Sequence, residues 1–341
     1  MRSRIRWLSF FGFCLSLSFA WGALPQAPKD EPLIAAAKKG DLAETERLLN
    51  QGGNIDVRDW KGFTPIIWAA VRDHADLVDF LATRGADVNV RSSESWTALM
   101  WAATRGRSIC AEKLILHGAE VNATTAFGVS SLMLASTAGR PDSLRVLLAH
   151  GADINACAKD GNSALLYAAE TSVAESVKVL LDGGADVTIK NKEGLTAVFS
   201  AAVSGSPDSI KLLVERKADL NAVDPEGMTP MHFSSSLGRI DLVRALVEQG
   251  AGINCLTHTG ESPLMLAVDE GNAELVRFFL DHGADVTFKN QEGQTALSIA
   301  QALQRDDIVT LLKKAGAVEE PLAPAPKQAP PRGQTAQHAN H

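Results

Sequence analysis

A 33-residue period constrains this chain more than any other feature of its sequence. Every thirty-third residue after Thr64 is a threonine or a serine: Thr97, Ser130, Ser163, Thr196, Thr229, Ser262 and Thr295. One further step back from the neighbouring Pro65 reaches Pro32, so the chain holds nine copies at one fixed spacing. Such sequences fold as arrays in which each unit buries its apolar face on its neighbours. The period therefore predicts a single all-α repeat solenoid, although the length of 341 residues could otherwise supply two or three compact domains.

Each copy contains the signals for two short helices and a connecting hairpin. In the second copy, we expect the Thr64 hydroxyl to cap the first helix, and Pro65 occupies a position where its missing N–H costs nothing. The second helix carries apolar residues at helical spacing and ends at Gly85, which tolerates the left-handed C-cap conformation. A turn glycine recurs in the hairpins at Gly62, Gly128, Gly161, Gly194, Gly227, Gly260 and Gly293.

Two copies lack a glycine at these positions. Ser95 replaces the turn glycine of the third copy, and Lys217 replaces a cap glycine. A non-glycine residue in the left-handed conformation costs about 1–2 kcal/mol. We therefore expect both turns to be locally rearranged.

The repeat resembles the ankyrin repeat. The sequence Gly-Met-Thr-Pro-Met-His that ends at His232 carries this resemblance, together with the Gly-Ala-Asp runs that begin at Gly85, Gly151, Gly184 and Gly283. The resemblance implies nine units of paired antiparallel helices with β-hairpin fingers, which form one curved, elongated domain over residues 30–318. It also implies that His232 is a buried, hydrogen-bonded residue.

The segments on either side of the repeats have a different character. Residues 1–22 are typical of a signal peptide, with Arg2, Arg4 and Arg6 before the apolar stretch Trp7–Ala20, and with small residues that allow cleavage after Ala20 or Gly22. The alternative is an uncleaved anchor, for which the apolar stretch is short. Residues 23–29 form a linker, and residues 319–341, rich in proline and alanine, are expected to be a disordered tail. We expect a periplasmic or secreted protein without stable membrane insertion after cleavage.

Composition and motifs argue against several classes of function. The formal net charge of −7 disfavours binding to nucleic acid or to anionic lipid, both of which require a basic surface. The sequence has no phosphate-binding loop, His-Glu-x-x-His or Cys-x-x-Cys motif, so we expect no cofactor and no catalytic residue. His117, His150 and His282 share one position of the repeat, which places consecutive copies about 10 Å apart, too far to share a metal ion. An enzyme is the third and least favoured class.

Three cysteines follow the signal segment. Cys110 occupies the buried position equivalent to Leu77, whereas Cys157 and Cys255 lie on hairpins three copies apart. That separation is about 30 Å if each copy advances the array by about 10 Å, far beyond the reach of a disulfide. We predict no internal disulfide.

The resemblance also indicates where a partner would bind. In ankyrin-repeat proteins the concave face binds partners through the hairpin tips, the residue after the turn glycine and the end of the first helix. The matching positions here are Trp60, Lys61, Phe63, Arg72, Glu94, Trp96, Arg105 and Phe127. Trp60, Phe63, Trp96 and Phe127 are predicted to face solvent as binding residues; alternatively, these rings fold onto neighbouring fingers as structural contacts. Trp68 and Trp101 share the phase of core residues and are predicted to be core.

These features favour an exported, non-catalytic, monomeric protein that binds another protein. Resemblance to exported bacterial ankyrin proteins implies that the partner is an envelope enzyme that the solenoid restrains. The specific form of this hypothesis is immunity, in which the chain protects a cell from its own peptidoglycan endopeptidase. The alternative is a periplasmic scaffold or protective partner of another exported enzyme, such as one that handles oxidants.

Overall fold

The computed structural model describes residues 31–319. The predicted signal peptide and linker lie outside the described residues, as does the predicted tail beyond its first residue. Within the described range the chain forms eighteen α-helices, two in each of nine repeats. The prediction of an all-α array of nine units is therefore confirmed.

The helices alternate between the two kinds expected from the sequence. The first helices of the repeats are α1 (Pro32–Lys39), α3 (Pro65–Arg72), α5 (Ala98–Arg105), α7 (Ser131–Thr137), α9 (Ala164–Ala169), α11 (Ala197–Ser204), α13 (Pro230–Ser236), α15 (Pro263–Glu270) and α17 (Ala296–Ala302). The second helices are α2 (Leu42–Asn50), α4 (Ala75–Thr83), α6 (Ser108–Leu116), α8 (Pro141–Ala149), α10 (Ala174–Asp182), α12 (Pro207–Glu215), α14 (Ile240–Glu248), α16 (Ala273–Asp281) and α18 (Asp306–Lys314).

The repeats divide into two compact units. One comprises residues 31–192 together with Glu215–Ala218, and the other comprises Glu193–Val214 and residues 219–319. In the first unit, α1, α3, α5, α7 and α9 pack side by side in that order, and the second helices form a further layer against them. In the second unit, α11, α13, α15 and α17 pack in the same way.

Small residues allow the first helices to approach one another closely. Ala69, Ala70, Ala102 and Ala103 are fully buried on α3 and α5. Leucine and isoleucine fill the space between the two layers of helices, and Cys110 is as fully buried as its counterpart Leu77, as predicted. The helices thus bury a continuous apolar core within each unit, although each helix is only two or three turns long.

Hydroxyl groups cap most of the first helices, but not the one used to predict this feature. The side chains of Thr97, Ser130, Thr229, Ser262 and Thr295 each accept a hydrogen bond from the backbone N–H three residues later. Thr64 makes no such bond, and its hydroxyl is buried without a partner among residues 31–319. Its backbone has the extended conformation of a cap residue, so the prediction fails only in the orientation of the side chain.

The hairpin fingers are tight turns without extended strands. In the second repeat, Gly62 N–H donates to Asp59 O over 2.8 Å, and Asp59 N–H donates to Phe63 O over 3.0 Å. These two hydrogen bonds close the finger within five residues, which is too short a segment for a ladder of paired β-strands. In residues 31–319 the only β pairing consists of isolated bridges, Thr124 with Ser130 and Cys157 with Ser163.

The expected rearrangement of the Ser95 and Lys217 turns is wrong. Both residues adopt φ of 64°, close to the conformation of the glycines they replace. The Ser95 N–H donates to Ser92 O over 2.9 Å, as Gly62 does in the repeat before. The surrounding repeats therefore impose the left-handed conformation despite its cost.

Among the helices of residues 31–319, none combines the length and apolar character needed to cross a bilayer.

Candidate partner-binding surface

Two aromatic rings project into solvent from the fingers of the first unit. Trp60 is 52% exposed and Phe127 is 70% exposed, which confirms the predicted exposure of both. The Lys61 ammonium lies 4.8 Å from the centre of the Trp60 ring. Large exposed rings with a neighbouring cation are typical of binding surfaces, because they bury much area on association with little loss of side-chain entropy.

Phe63 does not face solvent, and its predicted exposure is wrong. It is 6% exposed, and its ring centre lies 5.1 Å from that of Trp68 and 5.2 Å from that of Trp101. The finger of the second repeat folds this ring onto two large rings that α3 and α5 present at the same phase. Contact with those rings removes apolar area from water, which stabilises the buried position.

Trp96 occupies an intermediate position. It is half-buried, and its ring centre lies 4.6 Å from that of Trp101. The alternative that rings fold onto neighbouring elements thus describes Phe63 and Trp96, whereas Trp60 and Phe127 remain available to a partner. We call Phe63, Trp68, Trp96 and Trp101 the aromatic cluster.

The two tryptophans predicted to be core differ in burial. Trp101 is 7% exposed, as expected, whereas Trp68 is only half-buried. Cations lie over the open face of Trp68: Lys38 Nζ is 4.3 Å and Arg72 Cζ is 5.8 Å from the ring centre. Trp68 therefore packs against a neighbouring ring on one side and makes cation–π contacts with surface residues on the other.

The indole N–H groups of these tryptophans also differ. Trp68 Nε1 donates to Asp59 Oδ2 over 2.9 Å. Ser92 stands one period after Asp59, and its single hydroxyl already accepts from Trp96 N–H over 3.3 Å. Trp101 Nε1 is buried without an acceptor among the described residues.

The predicted cations lie at the ends of first helices. Arg72 and Arg105 are exposed in the last turns of α3 and α5. Lys39 occupies the same position on α1 and is also exposed. Sequence reasoning missed Lys39, although counting one period back from Arg72 would have found it.

Glu94 is exposed at a point where a backbone hydrogen bond between two neighbouring fingers of the described chain is missing. Most fingers donate a backbone hydrogen bond to the preceding one, as Ser93 N–H does to Lys61 O over 3.0 Å. A Cβ on Gly62 would lie 2.9 Å from Ser93 N, so this close approach requires glycine. The next turn carries the Cβ of Ser95, and the equivalent hydrogen bond from Ala126 to Glu94 does not form between these described residues.

Two histidines, His232 and His117, make local polar contacts. His232 is fully buried; Thr229 N–H donates to its Nδ1 over 3.1 Å, and its Nε2 lies 3.0 Å from Glu261 O. Burial lowers the pKa of His232 to about 4, despite the opposing backbone hydrogen bonds. His117 Nε2 lies 2.8 Å from Asp79 Oδ1, a contact that lowers the pKa of Asp79. His232 is thus the structural residue that the resemblance implied.

The cysteines do not form a reactive centre in the described part of the chain. Burial, followed by the charge of Asp73, raises the pKa of the Cys110 thiol to about 12. Burial also raises the pKa of Cys157 and Cys255. Each thiol is therefore held in its less nucleophilic, protonated form at neutral pH. No group of three or more potential metal ligands is found within residues 31–319.

Comparison with known proteins agrees with this architecture. The family model described as "Ankyrin repeats (3 copies)" matches six overlapping segments, residues 17–92, 33–125, 73–158, 99–191, 165–257 and 242–320. The chain is also similar to the crystal structure of the human ASB11 ankyrin repeat domain, with 28% identity and a TM-score of 0.59. That match covers 67% of this chain and the whole of the other. No curated protein matches the sequence.

Proposed function

The chain belongs to the ankyrin-repeat family of protein-binding scaffolds, and we propose that it is an exported, non-catalytic protein that binds and restrains an envelope enzyme. A peptidoglycan endopeptidase of the same cell is the specific candidate, in which case the chain acts as an immunity protein. The family match covers most of the sequence, whereas the identity of the partner rests on the resemblance to exported bacterial ankyrin proteins.

The exposed rings of repeats two and four are the observation that carries the binding proposal. Trp60 and Phe127 are exposed by 52% and 70% on fingers of one compact unit, and the exposed Arg72 and Arg105 belong to the same unit. Tryptophan and arginine are enriched among the residues that dominate the energy of protein interfaces. The proposed binding residues are therefore Trp60, Lys61, Arg72, Glu94, Arg105 and Phe127, with the half-buried Trp96 at their margin.

The export part of the proposal is supported by the sequence alone. Three arginines precede an apolar segment and small residues, in the order that signal peptides show. Mass spectrometry of the protein recovered from the periplasm would test this part, with a new N-terminus at Trp21 or Ala23 as the expected result. Recovery of an uncleaved, membrane-bound chain would contradict it.

Copurification tests the function itself. Tagged protein is isolated from its native periplasm, and each bound protein is purified and assayed for hydrolysis of peptidoglycan with and without the ankyrin chain. The expected result is a bound hydrolase whose activity falls in proportion to the amount of chain added. The Trp60→Ala variant should restore that activity, whereas replacement of an exposed residue of the second unit, such as Arg277→Gln, should not.

The same experiment separates the alternative function. A bound enzyme whose activity is unchanged, but which survives longer in the complex, would identify a scaffold or protective partner. Loss of an oxidant-handling activity in cells that lack the chain would then point to that class of enzyme. Either result would contradict restraint of a hydrolase.

A further inference from the structure

The first three repeats carry a set of basic residues that the later repeats lack. The last turn of α1 contains Lys39, that of α3 contains Arg72 and that of α5 contains Arg105. None of the six later first helices within residues 31–319 has a basic residue in its last turn. We call Lys39, Arg72 and Arg105 the basic ladder.

The basic ladder is not neutralised by the part of the chain that the structure describes. Its three side chains are exposed, and none forms an ion pair with a residue in the range 31–319. Many arginines elsewhere do form such pairs: Arg84 lies 2.6 Å from Glu46, and Arg107 lies 3.2 Å from Asp73. The charges of the basic ladder are therefore available to an external anion.

A purely structural role does not account for the basic ladder. A cation in the last turn of a helix interacts favourably with the helix dipole, which would benefit every first helix alike. The six later first helices nevertheless form, and the residues equivalent to the basic ladder in their repeats are Ala138, Thr171, Ser204, Leu237, Glu270 and Leu303. The fold thus forms without these charges, and their restriction to three successive repeats calls for another explanation.

The spacing of the basic ladder indicates the shape of the anion. The helices α1, α3 and α5 pack as consecutive neighbours, so their equivalent ends are about 10 Å apart. A polyproline II segment has three residues per turn and rises about 3.1 Å per residue, so every third side chain recurs on the same face after about 9 Å. An extended segment with an acidic residue at every third position would therefore match the three cations in register.

We propose that the basic ladder binds an extended acidic segment of the protein partner, with glutamate or aspartate at every third residue opposite Lys39, Arg72 and Arg105. The inference rests on the proposed function in that it takes the first four repeats as the partner-binding surface. It adds the chemistry and conformation of the segment that is recognised. Trp60 and Phe127, exposed on nearby fingers, would contact apolar side chains that flank the acidic residues.

The environment of Arg72 favours recognition of a carboxylate. Its guanidinium lies 5.8 Å from the centre of the Trp68 ring, a contact that restricts its position and leaves its edge free to donate hydrogen bonds. The acidic member of the predicted surface, Glu94, lies on a finger, not at a helix end. It therefore lies away from the line of the three cations and can meet a different part of the partner.

Synthetic peptides test this proposal directly. Fluorescein-labelled (Glu-Pro-Ala)4 is titrated with the purified full chain at low ionic strength, and fluorescence anisotropy is measured. Proline keeps the preceding glutamate in an extended conformation. We expect this peptide to bind about tenfold more tightly than (Gln-Pro-Ala)4, because three exposed ion pairs each contribute a modest amount. A peptide of the same composition with its four glutamates in succession should bind more weakly.

Variants show whether the basic ladder is responsible. The triple variant Lys39→Gln, Arg72→Gln, Arg105→Gln should lose the preference for the glutamate peptide. The matched control is Lys178→Gln, Lys211→Gln, Arg277→Gln, which removes the same charge from exposed positions on α10, α12 and α16. This control should retain most of the preference. Replacement of the basic ladder by three glutamates should reverse it in favour of (Lys-Pro-Ala)4.

Several results would overturn the proposal. These are equal binding of the glutamate and glutamine peptides, an unchanged preference in the ladder variant, or an equal loss in the control. Equally tight binding of the peptide with successive glutamates would refute the three-residue register. Tighter, ladder-dependent binding of a single-stranded oligonucleotide would instead identify a nucleic acid as the anion. Thermal unfolding of each variant confirms that it is folded.

The outcome can be separated from that of the proposed function. If an envelope enzyme is captured and restrained but the ladder variant captures it equally well, only the proposed partner chemistry fails. If the peptides behave as expected but no envelope enzyme is restrained, the proposed function fails and the acidic-segment site remains.

Discussion

At the scale of single residues, repeats two and three differ in whether the indole N–H of a tryptophan has a hydrogen-bond acceptor. Asp59 has two carboxylate oxygens: one accepts from the backbone N–H groups of Lys61 and Phe63, and the other accepts from Trp68 Nε1. Ser92 has one hydroxyl oxygen in the equivalent position, which accepts from Trp96 N–H, and Trp101 Nε1 has no acceptor in the described chain. A buried donor without a partner destabilises the folded state.

Ser92→Asp should therefore stabilise the protein. The new carboxylate can accept from the finger backbone and from Trp101 Nε1, and we expect the free energy of unfolding to rise by about 1 kcal/mol. Aspartate is tolerated at this phase, since Asp224 is buried there in a later repeat. Chemical denaturation would measure the gain. Trp101→Phe, which has no N–H to satisfy, is the control background in which the gain should shrink.

His232 illustrates a different residue-level effect. Its Nδ1 accepts from Thr229 N–H and lies 2.9 Å from Thr229 Oγ1. Protonation of Nδ1 would remove this acceptor at the start of α13. Burial disfavours the charged form further and lowers the pKa from 6.5 to about 4. The unfolded chain consequently takes up a proton in a pH range where the folded chain does not.

Stability should fall as the pH is lowered from about 6.5 to about 4. In this window the unfolded state binds the His232 proton and the folded state does not, so the stabilisation present at neutral pH is lost, by up to about 3 kcal/mol. Urea denaturation at a series of pH values measures the effect. His232→Gln should be less stable at pH 7 and should lose less stability on acidification. An identical pH dependence of the two proteins would exclude His232 as the cause.

At the scale of elements, Gly62 meets two requirements of its finger, which are a left-handed backbone conformation and space for the next finger. Gly62 has φ of 72°, and a Cβ at this position would lie 2.9 Å from Ser93 N of the next finger. Ser95 meets the conformational demand, with φ of 64°, but not the demand for space. The finger-to-finger hydrogen bond is absent at this point, between Ala126 and Glu94.

Ser95→Gly should stabilise the array and allow the missing hydrogen bond between these fingers to form. Glycine relieves the left-handed strain, for a gain of about 1 kcal/mol after its greater flexibility in the unfolded chain is taken into account. A restored hydrogen bond would add to this gain. Lys217→Gly, with the same φ of 64°, is the comparison that reports strain relief at a turn of another kind. Slower hydrogen exchange at Ala126 in Ser95→Gly would demonstrate the new bond; unchanged exchange would show that the missing bond has another cause.

At the scale of the whole molecule, the exposed surface is distributed unevenly among the repeats. The exposed rings Trp60 and Phe127 and the basic ladder all lie within the first compact unit. The second unit repeats the same helices and fingers, but none of its residues at the finger position of Phe127 is aromatic: these are Glu193, Glu226, Thr259 and Glu292. A repeated fold thus supports two surfaces of different chemistry, because exposed positions are not constrained by the core.

Two tryptophan variants should separate binding from stability. Trp60→Ala should leave the unfolding free energy within about 0.5 kcal/mol of the parent, because the ring is 52% exposed. Trp96→Ala should lower it by about 2 kcal/mol, since this ring packs 4.6 Å from Trp101. Capture of the periplasmic partner should weaken strongly for Trp60→Ala. A large loss of stability in that variant would mean that Trp60 is structural.

Much of the candidate site could be predicted because the strict period gives each residue a defined position within its repeat. This position correctly predicted that Trp60 and Phe127 are exposed and that Cys110 and Trp101 are buried. Phe63 was misplaced because the residue after the turn glycine was expected to face a partner, whereas this position is half-buried or buried in all eight repeats from Phe63 to Gln294. Its burial depends on two neighbouring tryptophans, Trp68 and Trp101, whose combined size no single repeat reveals.

The strict period was sufficient to predict the number of repeats and the order of the helices, because each unit can bury its apolar face only on its neighbours. The folded structure was needed to show which rings remain exposed, which hydroxyls do not cap their helices and where a finger-to-finger hydrogen bond is missing. These outcomes depend on contacts between side chains of different repeats, as between Ser95 and the finger that follows it. A pattern that describes each repeat separately does not contain those contacts.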